Sequence, residues 1–277
     1  MKKFFALLLA LMMVLSLVAC GQDAAPADGA SASTALVLGT SADYAPFEFM
    51  YADENGDMQY AGIDVSVAKY IADDMGLELK VENMAFDYLL TAMAKGDYDM
   101  VIAAMEASED RLLAADFSDP YYTDMPAMIL VKADKADQYK TLADFDGKYV
   151  GAQTATTKLD IVNDDMAGAV AVPLQLVTDL VNELAYDKVD AIVLDGAVAM
   201  EYANANPDLV IAEASSELGE AAPYCVAVAK GDPKGLLPAI NAAIAKMQAE
   251  NAVETFIADA DALSGVAVEV SVDAPAE

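Results

Sequence analysis

The chain contains no histidine. That removes the commonest general base and the commonest metal ligand. Ser-His and Cys-His hydrolases are excluded, and a zinc site loses its usual donors. Basic residues are scarce: 15 against 46 acidic ones, a formal net charge of −31, with the lysines scattered rather than clustered. Nucleic acid is excluded as a partner, because phosphate contacts need a basic face. The acidity reads as a solubility device. No Gly-rich phosphate loop and no nucleophile beside a base is present, so no cofactor is expected. Of the 15 basic residues, Arg111 is the one arginine. A guanidinium can hold a carboxylate through two parallel hydrogen bonds, which an ammonium cannot. The alternative for Arg111 is an ordinary surface pairing with a nearby acid.

What is present begins with an address. Lys2 and Lys3 precede an apolar run, Phe4 to Ala19, interrupted by Ser16. The run is short for a membrane span of about 20 residues and reads as a secretory signal over residues 1–19. It closes on "LVAC", Leu17 to Cys20, then Gly21. This resembles a bacterial lipobox, in which the cysteine becomes the lipidated N-terminus. An extracytoplasmic protein, lipid-anchored to the bacterial cell membrane at Cys20, is expected; the alternative is an ordinary signal peptide with an incidental cysteine. The only other cysteine, Cys225, lies in "YCVAVA" and reads as a buried small hydrophobe. With Cys20 lipidated, no disulfide can form within the chain. Residues 20–34 have the composition of a flexible tether. Residues 266–277 read as an acidic tail whose alternation could add an edge strand.

The length of 277 residues suits one large or two medium domains. Strand patterns fall at 35–40, 77–83, 98–105, 148–153, 169–175, 189–195 and 223–230. Helical patterns fall at 64–76, 86–96, 108–116, and near 156–167, 177–187, 196–205 and 233–257. This alternation predicts an α/β fold with mostly parallel sheets and helices on both faces. In open α/β sheets, ligands bind outside the carboxyl ends of the strands. The residues there are Ser41, Asp43 and Tyr44; Ala104, Met105, Glu106 and, one loop later, Arg111; Thr154, Thr156 and Thr157; and Asp195. A guanidinium, hydroxyls and carboxylates suit a small zwitterion, with Arg111 on the carboxylate and an acid on the ammonium. Asp43 is expected at the surface.

The stretches "GTSADYAPFEF" (39–49), "GIDVSVAKYIADDMG" (62–76), "DYDMVIAAMEASEDR" (97–111), "DFSDPYY" (116–122), "LADFDGKYVGAQTATT" (142–157) and "VDAIVLDGAVAMEYA" (189–203) carry a resemblance. In order and spacing the chain resembles the extracellular solute-binding proteins, family 3, of ABC transporters for polar amino acids, from about residue 35 to about 260. The resemblance implies a two-lobed periplasmic-binding-protein fold of type II with the ligand cleft between the lobes. Lobe 1 would comprise residues 35–124 plus 225–265, and lobe 2 residues 125–224. It implies a free amino acid as ligand, delivery to permease subunits, action as a monomer, and no enzymatic activity.

Residue by residue, the resemblance puts Arg111 on the α-carboxylate, assisted by backbone N–H groups at Glu106 and Thr157, and Asp195 on the α-ammonium. Tyr44 and Phe86 flank the ligand side chain. Ser41 occupies a position where relatives often carry an acid that senses that side chain. Thr156 and Thr157 could equally be helix caps, and Asp195 a cap or Asx turn. Two positions depart from the family pattern. Ala103, Ala104 and Glu106 stand where small Ser/Gly residues and a hydroxyl are usual, and Ala155 where glycine is common. Glu106 could face the cleft, favouring a cationic ligand, or turn outward, or pair with Arg111. The alternatives to a binding protein are a cyclohexadienyl-dehydratase-like enzyme using Glu106 and Asp195, and a ligand-sensing module for a receptor.

Overall fold

The computed structural model describes residues 34–265 and residue 267. The signal segment, Cys20, most of the tether and most of the acidic tail lie outside the described residues. Among the described residues no helix is long and apolar enough to cross a membrane.

The first half of the chain contributes strands β1 (Ala35–Thr40), β2 (Asp43–Tyr44), β3 (Glu48–Ala52), β4 (Met58–Ala61), β5 (Glu78–Asn83), β6 (Met100–Val101) and β7 (Ala115–Tyr122), with helices α1 (Ile63–Met75), α2 (Leu89–Lys95) and α3 (Glu109–Ala114). The second half contributes β8 (Met128–Lys132), β9 (Tyr149–Gln153), α4 (Thr157–Asp164), β10 (Val170–Leu174), α5 (Val177–Ala185), β11 (Ala191–Leu194), α6 (Gly196–Ala205) and β12 (Leu209–Ile211). Strand β13 (Tyr224–Ala229) and helices α7 (Leu237–Ala249) and α8 (Ala252–Ser264) complete the described chain.

Two five-stranded sheets result, in the orders β5-β1-β6-β13-β7 and β10-β9-β11-β8-β12, with β2-β3-β4 as a small third sheet. β1 runs parallel to β5 and β6, and β9 runs parallel to β10 and β11. Each large sheet also holds one strand of opposite direction. β8 is antiparallel to both its neighbours, and so is β13. The chain passes from the first sheet to the second between Tyr122 and Met128 and returns before Tyr224. The two sheets and their helices are called the first and second lobes below. One apolar cluster includes Leu38, Ile71 and Met100 of the first lobe together with Leu130, Leu180 and Leu194 of the second.

Local sequence explains the elements. In α1, Ile63, Val67, Ala68, Ile71 and Ala72 are buried along one face, and Gly76 ends the helix in the left-handed conformation. The strand expected over 98–105 pairs only at Met100–Val101, because Ala104 turns the chain at φ 44°. The helical pattern over 233–257 is two helices, α7 and α8, broken at Asn251 with φ 52°. β7 contains Pro120, which removes a ladder donor; the strand lies at a sheet edge, and its register to β13 shifts there. Of the tail, Ala267 is described, and it bridges antiparallel to Tyr51. Cys225 is buried in β13, where burial pushes its thiol up to about 11.

A layer of buried carboxyl groups lies beneath the strand ends of the first lobe. Asp64, in the first turn of α1, accepts from the Ala104 N–H at 2.6 Å and the Tyr121 hydroxyl at 2.7 Å. It thereby fixes the left-handed turn that follows β6. Glu48 of β3 is hydrogen-bonded to Asp64, and burial pushes its carboxyl well above the usual range. Asp43, expected at the surface, is only 8% exposed. It accepts from the Val177 N–H at 3.0 Å, at the start of α5, where Leu176 makes no side-chain cap. A carboxylate of the first lobe thus caps a helix of the second, the favourable end of the helix dipole for negative charge. Burial raises Asp43 to about 6, opposed by its bonds to Val177 and Ser41 and assisted by the charge of Asp179. Asp64, facing Glu48, Tyr121 and the more distant Asp195, is also raised by burial to about 6.

Gly62 precedes α1 at φ 120°, and a Cβ there would collide with the Phe47 carbonyl oxygen. Gly62→Ala is expected to cost about 2 kcal/mol or more, read from urea unfolding. Asp43 and Asp64 take up protons on folding at pH values between their ordinary 3.8 and about 6. Stability is therefore expected to rise as pH falls from 7 towards 4.5, by about 2 kcal/mol for Asp43 alone. Thermal unfolding across that range checks the sign, and Asp43→Asn should flatten the profile.

Candidate ligand-binding site

The carboxyl ends of the central strands of both sheets meet at one cleft. The first lobe lines it with Ser41, Tyr44, Glu48, Phe86, Ala104, Glu106 and Arg111; the second supplies Gln153, Thr156, Lys158 and Asp195. Of the predicted residues, Ser41, Tyr44, Phe86, Ala104, Glu106, Arg111, Thr156 and Asp195 line this cleft and Thr157 joins through its bond to Glu106, whereas Met105 and Thr154 do not line it. The cavity they leave is about 10 Å³, room for about one water molecule.

Arg111 is the third residue of α3, whose cap Ser108 accepts from the Arg111 backbone N–H at 3.4 Å. Its guanidinium lies 5.2 Å from the centre of the Phe86 ring, a cation–π stack. Nη1 donates to the Glu106 carbonyl at 3.0 Å and to Glu106 Oε2 at 2.9 Å, and Nη2 donates to the Ala155 carbonyl at 3.1 Å. The surface-pairing alternative fails, since Arg111 is 9% exposed. Glu106 faces the cleft and pairs with Arg111 at once. Its backbone bridges antiparallel to Tyr224, which fixes where the side chain starts.

The other Glu106 oxygen accepts from the Thr157 hydroxyl at 2.9 Å and from Lys158 Nζ at 2.6 Å. Lys158 Nζ also donates to Asp195 Oδ1 at 2.6 Å. Asp195 Oδ2 accepts from the Tyr44 hydroxyl at 2.6 Å, and the Asp195 N–H donates to the Tyr44 oxygen at 3.2 Å. Tyr44 was expected to offer aromatic surface; it also hydrogen-bonds. Asp195 stands at the cap position of α6 yet makes no side-chain cap bond. The Ala197 N–H in the first turn goes to Asp124 instead, at 3.1 Å. The Asp195 carboxylate is thus left for the cleft. Thr156 does cap α4, accepting from the Leu159 N–H at 3.3 Å. Ser41 donates to Asp43 at 3.1 Å. Ala155 is left-handed at φ 61°, which is why glycine suits that position.

Burial works against the ionised forms of Glu106 and Lys158 and loses at both. It would raise Glu106, but Lys158 and Arg111 hold its carboxyl down to about 2. It would lower Lys158, but Asp195 and Glu106 hold its ammonium above the ordinary value. The result is an alternating row of four charges, Arg111, Glu106, Lys158 and Asp195, each near a partner of opposite sign.

Sequence reasoning missed Lys158, Glu48, Gln153 and the inward position of Asp43. One signal for Lys158 was available. It is the second residue of α4, where the helix dipole disfavours a cation, so a lysine there calls for carboxylates close by. Glu48 gave no comparable signal, although one of its buried carboxyl oxygens, Oε2, has no hydrogen-bond partner.

Comparison with known proteins agrees with this geometry. Residues 36–258 match the bacterial extracellular solute-binding proteins, family 3. The arginine-binding extracellular protein ArtP of Bacillus subtilis is 35% identical over 222 residues, covering 78% of this chain and 83% of that protein. A probable histidine-binding protein of Campylobacter jejuni is 31% identical, covering 93% and 98%. The structure of an amino acid ABC transporter substrate-binding protein from Streptococcus pneumoniae, bound to L-arginine, superposes with a TM-score of 0.78 at 31% identity, covering 86% of this chain and 96% of that one. The chain belongs to the bacterial extracellular solute-binding proteins, family 3, and is an amino-acid-binding component of ABC import.

Proposed function

We propose that this protein captures a cationic amino acid in the cleft between its lobes and presents it to the membrane permease. One observation carries the choice of a cationic ligand: the cleft already holds a cation, Lys158 Nζ, at 2.6 Å from each of two carboxylates. Without Lys158, Arg111 faces Glu106 and Asp195 with one negative charge in excess. An amino acid of net charge +1 balances that excess, whereas a neutral one leaves a carboxylate buried without a partner, which is costly. The arginine named for two of these relatives fits this chemistry.

In this reading Arg111 takes the α-carboxylate, with Phe86 stacked on its guanidinium. Asp195, oriented by Tyr44, takes the α-ammonium. Glu106 and the unpartnered oxygen of Glu48 face the side-chain cation, with Ser41, Ala104, Thr156 and Thr157 shaping the walls. Lobe 1 is residues 35–124 with 225–265, lobe 2 is 125–224, and the protein works as a monomer held to the membrane by lipid on Cys20. Binding rather than turnover suits the site, since a carboxyl held at about 2 is a poor proton acceptor and donor near neutrality.

Thermal unfolding of residues 21–277 with L-arginine, L-lysine, L-ornithine and L-histidine tests the reading. A ligand at 100 times its Kd adds about 2.7 kcal/mol of stability. Arg111→Ala and Asp195→Asn should each abolish the rise in Tm while leaving the protein folded. Stabilisation by glutamine or glutamate and by no cationic amino acid would refute the choice of ligand. Cys20→Ala should move the full chain from the membrane fraction to the soluble fraction of the producing cell.

A further inference from the structure

We propose that Glu106 and Lys158 form a built-in stand-in for the ligand, a tethered carboxylate and ammonium that hold the empty cleft shut until an amino acid displaces the lysine. This rests on the cationic-ligand reading above for the identity of the displacing molecule. Arg111 and Asp195, the groups placed for the two poles of an amino acid, are both already occupied. Arg111 Nη1 holds Glu106 Oε2 at 2.9 Å, and Asp195 Oδ1 holds Lys158 Nζ at 2.6 Å. The 2.6 Å bond between Glu106 Oε1 and Lys158 Nζ joins the two poles, as the α-carbon joins them in an amino acid.

The two side chains come from opposite lobes, so their bond fastens the lobes to each other. With the cavity at about 10 Å³, an amino acid has no room while Lys158 stays in place. Lys158 is the piece that can leave. It sits at a helix start that disfavours a cation, on a long flexible stem, whereas Glu106 is fixed at its backbone by the bridge to Tyr224 and its carboxylate need only turn from Arg111 as the incoming carboxylate arrives. Binding is therefore an exchange of one cation for another. Lys158 becomes a specificity determinant that never touches the ligand, because a neutral amino acid cannot replace the charge it removes.

A second consequence concerns the empty protein. Without the ammonium, closing the lobes would bury the Asp195 carboxylate with Tyr44 as its hydrogen-bond donor and no cation. A chain lacking Lys158 should stay open until a ligand arrives. A closed empty state of the wild type, in turn, scales apparent affinity down to the fraction of molecules that are open.

The test uses residues 21–277 of the wild type, Lys158→Met and Lys158→Arg, stripped of ligand by partial unfolding. Small-angle scattering gives the radius of gyration without ligand, and calorimetry gives the Kd for L-arginine. Lys158→Met is expected to be more expanded than the wild type, to contract when L-arginine is added, and to bind it at least tenfold more tightly. Lys158→Arg should stay compact, since it keeps a cation between the carboxylates. Far-UV circular dichroism verifies folding, and Lys158→Gln replaces the methionine variant if that one fails to fold. An empty wild type as expanded as Lys158→Met, or weaker L-arginine binding in Lys158→Met, overturns the proposal. Expansion of Lys158→Met with no binding of any cationic amino acid by either protein would keep the stand-in and refute the cationic reading; tight binding to both with no expansion would do the reverse.

Discussion

The structure depends on one buried row of charges, Arg111, Glu106, Lys158 and Asp195, running from the first lobe to the second. Taking four ionised groups out of water is expensive, and a buried ion pair is often no more stabilising than well-packed apolar residues. The cost is offset because every charge has an opposite neighbour within 3 Å, Tyr44 and Thr157 donate to Asp195 and Glu106, and the Ala155 carbonyl accepts from Arg111. Remove any one member and its neighbour is left as an uncompensated charge, a loss of about 3–5 kcal/mol. The row is therefore a poor device for stability and a good one for discrimination. With the lobes closed, it tolerates replacement of a charge only by a charge of the same sign in the same place.

The rest of the fold serves to put these four groups together. The two sheets bring their carboxyl ends to a common cleft, and the antiparallel strands β8 and β13, next to the crossings, let one chain build both lobes. The layer below is also carboxyl-rich, but it behaves differently. Asp64 and Asp43 face donors that are backbone N–H groups and hydroxyls rather than cations, and Glu48 faces the Asp64 carboxyl, so burial dominates and all three carboxyl groups move up instead of down. Environment, not residue type, separates Glu106, held down to about 2 in the cleft, from the acids beneath it that burial moves up.

The α/β alternation and the strand-end placement of Arg111, Glu106, Thr157 and Asp195 were legible in the sequence, because hydrophobic period and the strand-end rule are local signals. The strands β2, β3, β4, β7, β8 and β12 were not. They are short, or carry polar residues and Pro120, and their pairing is set by partners distant in sequence. Asp43 looked exposed because its partner, the start of α5, lies 134 residues away. Lys158 was invisible as a cleft residue for the same reason. Its helix was expected, but the direction of its side chain is decided by Glu106 and Asp195, 52 and 37 residues distant.

If Lys158 is the ligand's stand-in, its position on α4 separates recognition of the amino acid from competition with it. In the proposed reading, contacts to a bound amino acid come from Arg111, Asp195 and the aromatic wall of this cleft, while the competitor is the single side chain of Lys158. Lengthening, shortening or neutralising that side chain would reset the concentration range over which the protein fills. The contacts that recognise the amino acid would stay as they are. A lineage moving between nutrient-rich and nutrient-poor surroundings could retune its scavenging threshold through a single codon.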